Sequence, residues 1–243
     1  MPSPTPSAAH YIGDELALFE HATNWKAYYG GHLRPYLGGR VLEVGAGIGG
    51  TTRALCDGRA ADWLCVEPDA ALATRIGTLL ATRALPPVCR VHVGTLADLP
   101  AAEGLFDAIL YIDVIEHIAD DAAELGRAYA RLAPGGALLI VVPAHQWLFS
   151  KFDAAIGHFR RYSRARLQQV LPAGGRVRQL AYLDSLGLLA AAASKVFLSQ
   201  TYPSLTQIKF WDRALVPISR AFLDRLTGYA IGKSVLAVVE KPA

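Results

Sequence analysis

The middle of this chain alternates short apolar runs with helix-like segments, and that rhythm constrains the fold more than any other feature. Strand-length runs fall at residues 40–44, 62–66, 88–93, 106–112 and 137–142. Parallel strands need crossover connections and are buried on both faces, so they read as nearly continuous apolar stretches separated by helical patterns. The spacing predicts helices over 51–57, 70–83 and 121–132. Asp69 should cap the second of these, and Ala133-Pro134-Gly135-Gly136 should stop the third. The rhythm then changes. A long aromatic and basic connection covers 145–162, followed by a helix over 164–171 and a sixth strand over 177–182. An apolar helical insertion over 186–226 should break into loops around Pro203 and Pro217, and a last strand over 233–240 closes the chain.

At 243 residues, with 52% hydrophobic and 19% charged side chains, the chain can bury one sizeable core. One domain is expected, in four parts: a loose tail (1–10), a helical lid rich in aromatics (11–39), a sheet core (40–185 and 231–241) and the helical insertion (186–230). The formal charge of +3 gives no case for nucleic-acid binding, which needs a concentrated basic face. Cys56, Cys65 and Cys89 lie in apolar surroundings without metal or redox spacing, so buried free thiols in a reducing, cytoplasmic setting are expected, and no metal. The tail has no signal-peptide pattern, and no run reaches the ~20 apolar residues of a membrane span.

The chemistry concentrates where strands end. Gly45, Gly47 and Gly50 follow the first strand in a G-x-G-x-x-G pattern, bringing backbone close to a ligand at the carboxyl edge of the sheet. Taken alone, that turn fits a dinucleotide as well as S-adenosylmethionine. Glu43 stands two residues before it, where an acid can face a charged amino-acid end directly or through water; a pyrophosphate loop gains nothing from one. Glu67 ends the second strand, where a carboxylate can accept both ribose hydroxyls of either ligand. The late strand suits a methyltransferase sheet better than the six parallel strands of a dehydrogenase.

Val41-Leu42-Glu43-Val44-Gly45-Ala46-Gly47-Ile48-Gly49 resembles motif I of the class I S-adenosylmethionine-dependent methyltransferases. Cys65-Val66-Glu67-Pro68-Asp69 resembles the acidic end of their second strand. Phe106 to Ile118 is similar to their fourth-strand motif, and Leu132-Ala133-Pro134-Gly135-Gly136 to the turn into their fifth strand. The resemblance implies an α/β Rossmann-like fold with a mostly parallel seven-stranded sheet and helices on both faces. It also implies S-adenosylmethionine as cofactor, with Gly45, Ala46, Gly47 and Asp113 by its methionine part and Glu67 and Pro68 by its ribose. Adenine falls to Thr95 and Leu96, because this chain lacks the acid many members have directly after the glycine. Asp98 could reach the adenine amino group, and Asp113 could equally be a helix N-cap.

Methyl transfer from a sulfonium needs alignment and exclusion of water, and needs a base only when the acceptor is protonated. His145, His117 and Asp113, after the fifth and fourth strands, are the candidates. The segment containing His158-Phe159-Arg160-Arg161-Tyr162 resembles a subgroup signature. With His145, its His158, Arg160, Arg161 and Tyr162 could bind a small-molecule acceptor and grip an anionic group on it, although an arginine paired with Asp153 would merely shape the loop. Tyr11, Phe19, Trp25, Tyr28 and Tyr29 read as a lid or as plain packing. The insertion reads as an apolar acceptor pocket, a homodimer interface or a second small core, in a monomer or homodimer. The competing functions are a nicotinamide-dependent oxidoreductase and a cofactor-binding protein without catalysis.

Overall fold

The computed structural model describes residues 15–197 and 203–243. Tyr11 and the tail lie outside them. Seven strands form one sheet in the order β3-β2-β1-β4-β5-β7-β6. They are β1 (Arg40–Val44), β2 (Asp62–Glu67), β3 (Cys89–Val93), β4 (Phe106–Ile112), β5 (Leu132–Pro143), β6 (Arg176–Leu183) and β7 (Ser234–Glu240). The first five run parallel. β7 inserts antiparallel between β5 and β6, with Leu139 opposite Val238 and Leu180 opposite Ala237. This order matches the methyltransferase expectation and not six parallel dehydrogenase strands.

Alternation along the strands divides the core in two. Val41, Cys65, Leu110, Leu139 and Leu236 point to one face; Leu42, Leu64, Ile109, Leu138 and Val235 point to the other. Both faces are dry, which is why the central strands carry almost no polar residues. Helices α3 (Gly50–Leu55) and α4 (Ala70–Ala81) cover the first face; α5 (Asp121–Ala130) and α7 (Arg164–Val170) cover the second. Asp69 caps α4 as expected, accepting from the N–H groups of Ala71 and Leu72.

The N-terminal helix is two pieces, α1 (Glu15–Glu20) and α2 (Thr23–Leu33). Neither Ala22, which precedes α2, nor any near neighbour caps it. Asp212 does so from the insertion, accepting from the N–H of Trp25 at 2.9 Å and of Asn24 at 3.2 Å. Asp224 makes a second clamp, accepting from Tyr28 Oη and from the backbone N–H groups of Asp184 and Ser185.

The connection after β5 holds a short helix, α6 (Lys151–Ala155), started by a reciprocal Ser150–Asp153 capping box. In the insertion, α8 (Ser185–Phe197) is followed by α9 (Leu205–Phe210), α10 (Val216–Ile218) and α11 (Asp224–Leu226). The loop expected at Pro217 is absent. Widened π turns over Trp211–Leu215 and Ser219–Leu223 flank it, so the helix continues past a residue that cannot donate. Among the described residues, no helix is long and apolar enough to cross a membrane. The three cysteines are buried and free.

Candidate active site

The turn after β1 is held from below by the neighbouring strand: the Val66 carbonyl accepts from Gly45 N at 2.8 Å and Ala46 N at 3.2 Å. Gly45 has φ +69°, and a Cβ there would lie 2.6 Å from Val114 Cγ2, so any side chain is doubly excluded. The other demanding position is Gly49 at φ +79°, where the chain swings into α3. Gly50, the last glycine of the sequence pattern, is already the first helical residue. Glu67 ends β2 with one carboxylate oxygen on Gly47 N at 2.7 Å and the other on Asp69 N at 2.9 Å. Burial raises its pKa against the pull of those two bonds. Pro68 follows at the same edge.

Glu43 departs from the expectation. It sits on the odd face of β1, so its side chain points beneath α3 and away from the ligand edge. There it accepts from Thr52 Oγ1 at 2.7 Å and Trp63 Nε1 at 2.9 Å, and burial lifts its pKa to about 7. It braces the start of α3 against β2. After β3, Asp98 turns back on its own loop and accepts from both the N–H and the hydroxyl of Thr95, at 2.8 and 2.7 Å. It is therefore committed to a capping box, not directed outward for an adenine. The Leu96 side chain is buried in the second core, leaving exposed Thr95 on the rim.

Gly45, Ala46 and Gly47 line a cavity of ≈ 280 Å³ whose roof is Leu16, Phe19, Trp25, Lys26 and Tyr29 from α1 and α2. Thus three of the lid aromatics face it, whereas Tyr28 packs on the insertion. Asp113 has φ +54°, which turns its carboxylate out of the sheet and open to the cavity. It caps no helix: the short turn that follows starts at Ile115 with Val114 before it. The protein closing around the cavity raises the Asp113 pKa, while His158, Lys233, Lys26 and Arg161 pull it down. At the far end lie Glu116, His117 and His158, which bring ligand-capable atoms within 4.8 Å of one another. The His117 ring is bonded to backbone at Gly157 and Ile156 and meets His158 edge-on at 4.5 Å. Burial lowers its pKa to about 4, so it is neutral at pH 7.

Three predicted site residues are not brought in. His145, also at positive φ (+64°), does not line the cavity; its ring stacks on Tyr182 at 4.9 Å and bonds the Gly232 carbonyl at 3.0 Å. Arg160 is spent on Asp121 at 2.8 Å and on the carbonyls of Ile118 and Ala119. Tyr162 is fully buried, its hydroxyl on Asp121 at 2.7 Å. Of the basic segment, His158 and Arg161 reach the cavity, and Arg161 does so while paired with Asp153 at 2.7 Å.

Sequence reasoning missed Lys26 and Lys233, and reached Trp211 only as part of an apolar insertion that could form an acceptor pocket. Lys233 lies 3.5 Å above the Trp211 ring and 4.0 Å from Asp184, and burial lowers its pKa. Its one sequence signal is a lone cation directly before an apolar strand. Phe19, Phe152, Arg161, Ala191, Trp211 and Lys233 also border a second cavity of ≈ 870 Å³ between α6 and the insertion. The two cavities therefore share a wall.

Sheet order, glycine turn and the acid ending β2 together define the class I methyltransferase architecture. The profile of the methyltransferase domain family matches residues 21–191, and the chain belongs to that family. It is 30% identical over 115 residues to the chloroplastic tocopherol O-methyltransferase of Arabidopsis thaliana, covering 47% of this chain and 33% of that one. It is 32% identical over 127 residues to a ubiquinone biosynthesis O-methyltransferase of Dinoroseobacter shibae, covering 46% of each. The chain thus spans a third to a half of the length of these relatives. Among solved structures it resembles a chain of the complex between the Haloferax volcanii Trm112 methyltransferase activator and its methyltransferase, with TM-score 0.65, 18% identity and 95% of both chains covered. The [4+2]-cyclase SpnF is also similar, with TM-score 0.60 and 15% identity over 92% of this chain and 81% of that one. At such identities these likenesses speak for the fold alone.

Proposed function

We propose that this protein transfers the methyl group of S-adenosylmethionine to an oxygen on an apolar small molecule. The observation that carries this reading is that the glycine turn and Asp113 open into one cavity, which shares a wall with a larger, mostly apolar one. The residues present fit the cofactor. Gly45, Ala46 and Gly47 bring backbone to the cavity wall, and each Glu67 oxygen keeps a lone pair after accepting one backbone N–H, enough for two ribose hydroxyls. Bound there, the cofactor would supply an electrophilic methyl carbon on a sulfonium.

The chain's own residues do the rest. The lid aromatics Phe19, Trp25 and Tyr29 exclude water. Asp113, open to the cavity with a raised pKa, is the group placed to take a proton from a hydroxyl acceptor. His145, Arg160 and Tyr162 have structural roles, so an anionic group on the acceptor would meet Lys233 and Arg161 instead. The two named O-methyltransferase relatives support an oxygen acceptor on an apolar molecule. No transmembrane helix or nucleic-acid surface enters this reading. Calorimetry tests the cofactor half: S-adenosylhomocysteine should bind the wild type, and Gly45→Arg should abolish binding. Labelled methyl transfer onto a metabolite extract, read by mass spectrometry, tests the acceptor half. Absence of any S-adenosylhomocysteine binding at millimolar ligand would sink the proposal.

A further inference from the structure

We propose that Glu116, His117 and His158 bind one divalent transition-metal ion at the acceptor end of the cavity. Two imidazoles and a carboxylate, each offering an atom within 4.8 Å of the others, form the donor set of an open catalytic site with room for an exogenous oxygen.

The independent observation is Glu116 itself. It is 0% exposed, and neither carboxylate oxygen has a hydrogen-bond partner. Glu43, Asp153, Asp184, Asp212 and Asp224, also buried, each accept two or more hydrogen bonds, and the one other buried carboxylate without such a partner among the described residues, Glu15, lines the same cavity. A carboxylate without partners, aimed at two histidines on a cavity wall, is the arrangement a cation resolves. His158 Nε2 stands 3.9 Å from Glu116 Oε1, too far for a hydrogen bond. Ligands of a tetrahedral ion at ~2.0–2.1 Å lie about 3.4 Å apart, so this pair needs to close by about half an ångström and no pair of the three by more than about 1.4 Å.

Both histidines already have the outer partners that metal ligands use. His158 Nδ1 lies 3.0 Å from Asp153 Oδ1, and Asp153 is in turn fixed by Arg161 and by Ser150. This leaves Nε2, the atom facing Glu116, free to coordinate. His117 is held by the backbone at Gly157 and Ile156. The basic segment after β5 thereby gains a purpose that its sequence did not disclose: it brings His158 and its aligning carboxylate to the Glu116-His117 pair, 41 positions upstream. The ion would face the same cavity as Asp113 and could lower the pKa of a bound hydroxyl; that use, though not the site, rests on the methyl-transfer reading.

The test uses the full-length, tag-free protein stripped with chelator and titrated with Co²⁺. One equivalent should bind with visible d–d absorption of four- or five-coordinate intensity, and Zn²⁺ should displace it stoichiometrically. Glu116→Gln and His158→Ala should each weaken Co²⁺ binding by roughly 100-fold or more, and Asp153→Asn by about 10- to 100-fold. Asp153→Asn keeps the test readable should the other variants fail to fold. A wild type that takes up less than a stoichiometric amount, or Co²⁺ binding that all three variants leave unchanged, overturns the proposal. S-adenosylhomocysteine calorimetry on the same stripped sample separates the two claims: binding without metal uptake refutes the ion site alone, and metal uptake without binding refutes the methyl-transfer reading alone.

Discussion

Glu43 lets one carboxyl group be followed through the stability of the whole chain. Burial lifts its pKa from 4.5 to about 7, with the hydrogen bonds from Thr52 and Trp63 pulling the other way. The folded state therefore prefers the protonated form. Glu43 adds no penalty below pH 4.5, and an increasing one as pH rises from there through about 7, where it levels off. Treating 4.5 as the unfolded value gives a cost of about 0.8 kcal/mol at pH 5 and about 3.3 kcal/mol at pH 8. Glu43→Gln keeps an acceptor for both donors and cannot ionise. Its buried amide N–H groups add a cost, but that cost does not depend on pH. The stability of Glu43→Gln relative to wild type should therefore grow by about 2.5 kcal/mol between pH 5 and pH 8, or about 5–10 °C in Tm for a chain of this size. Urea unfolding of both proteins at several pH values measures it, and titrating groups not coupled to Glu43 cancel in the difference. Parallel stability curves across pH 5–8 would refute the reasoning. They would mean that Glu43 reaches water, or an unrecognised cation, in the folded state.

Two further outcomes follow from the clamps around the site. Tyr162→Phe removes a hydroxyl bonded to Asp121 at 2.7 Å but leaves the Asp121–Arg160 pair, so it should destabilise by about 1.5–3 kcal/mol in urea melts. S-adenosylhomocysteine affinity should not change; a large loss of affinity would return Tyr162 to the binding site. Asp212→Ala uncaps α2 from 188 residues away, at a cost of about 1–2 kcal/mol, and should speed amide exchange over residues 23–29 while leaving β1 protected. Equal acceleration in both segments would show that Asp212 serves the global fold and not the lid.

What could be read from the sequence was whatever depends on neighbours in sequence. Strand runs, the glycine turn, the Asp69 cap and the acid ending β2 are local, and they stand where their patterns place them, except that β5 starts at Leu132 and takes in the Ala133-Pro134-Gly135-Gly136 expected to stop the preceding helix. Even the position of Glu67 needs only the strand period and the turn. Glu43 shows the first failure. Its type suggested a ligand, but the twofold alternation along β1 assigns it to the face under α3, and only the observed partners Thr52 and Trp63 reveal that this face is dry. Pro217 shows another. A proline signals a break, yet two π turns let the helix run on, and no single-residue preference foretells them.

Asp113 and His145 locate the limit most sharply. Both directly follow or nearly follow a central strand, both are polar, and both have positive φ, at +54° and +64°. One opens into the cavity and the other stacks on Tyr182 and bonds the Gly232 carbonyl, partners 37 and 87 residues further along the chain. The same division runs through the whole site. Its cofactor half is built from consecutive residues at the ends of β1 and β2. The half proposed for the acceptor is assembled from α1, α2, the segment after β5, the insertion and Lys233 before β7, and it is held together by buried acids that reach across the chain. Asp212 and Asp224 fix the lid to the insertion, and Asp153 fixes Arg161 and His158 to each other. A change in acceptor therefore requires no change in the glycine turn. Substitutions that alter what this chain acts upon should fall among residues that line the shared wall, Phe152, Ala191 and Trp211 first, while those that abolish cofactor binding should cluster between Gly45 and Glu67.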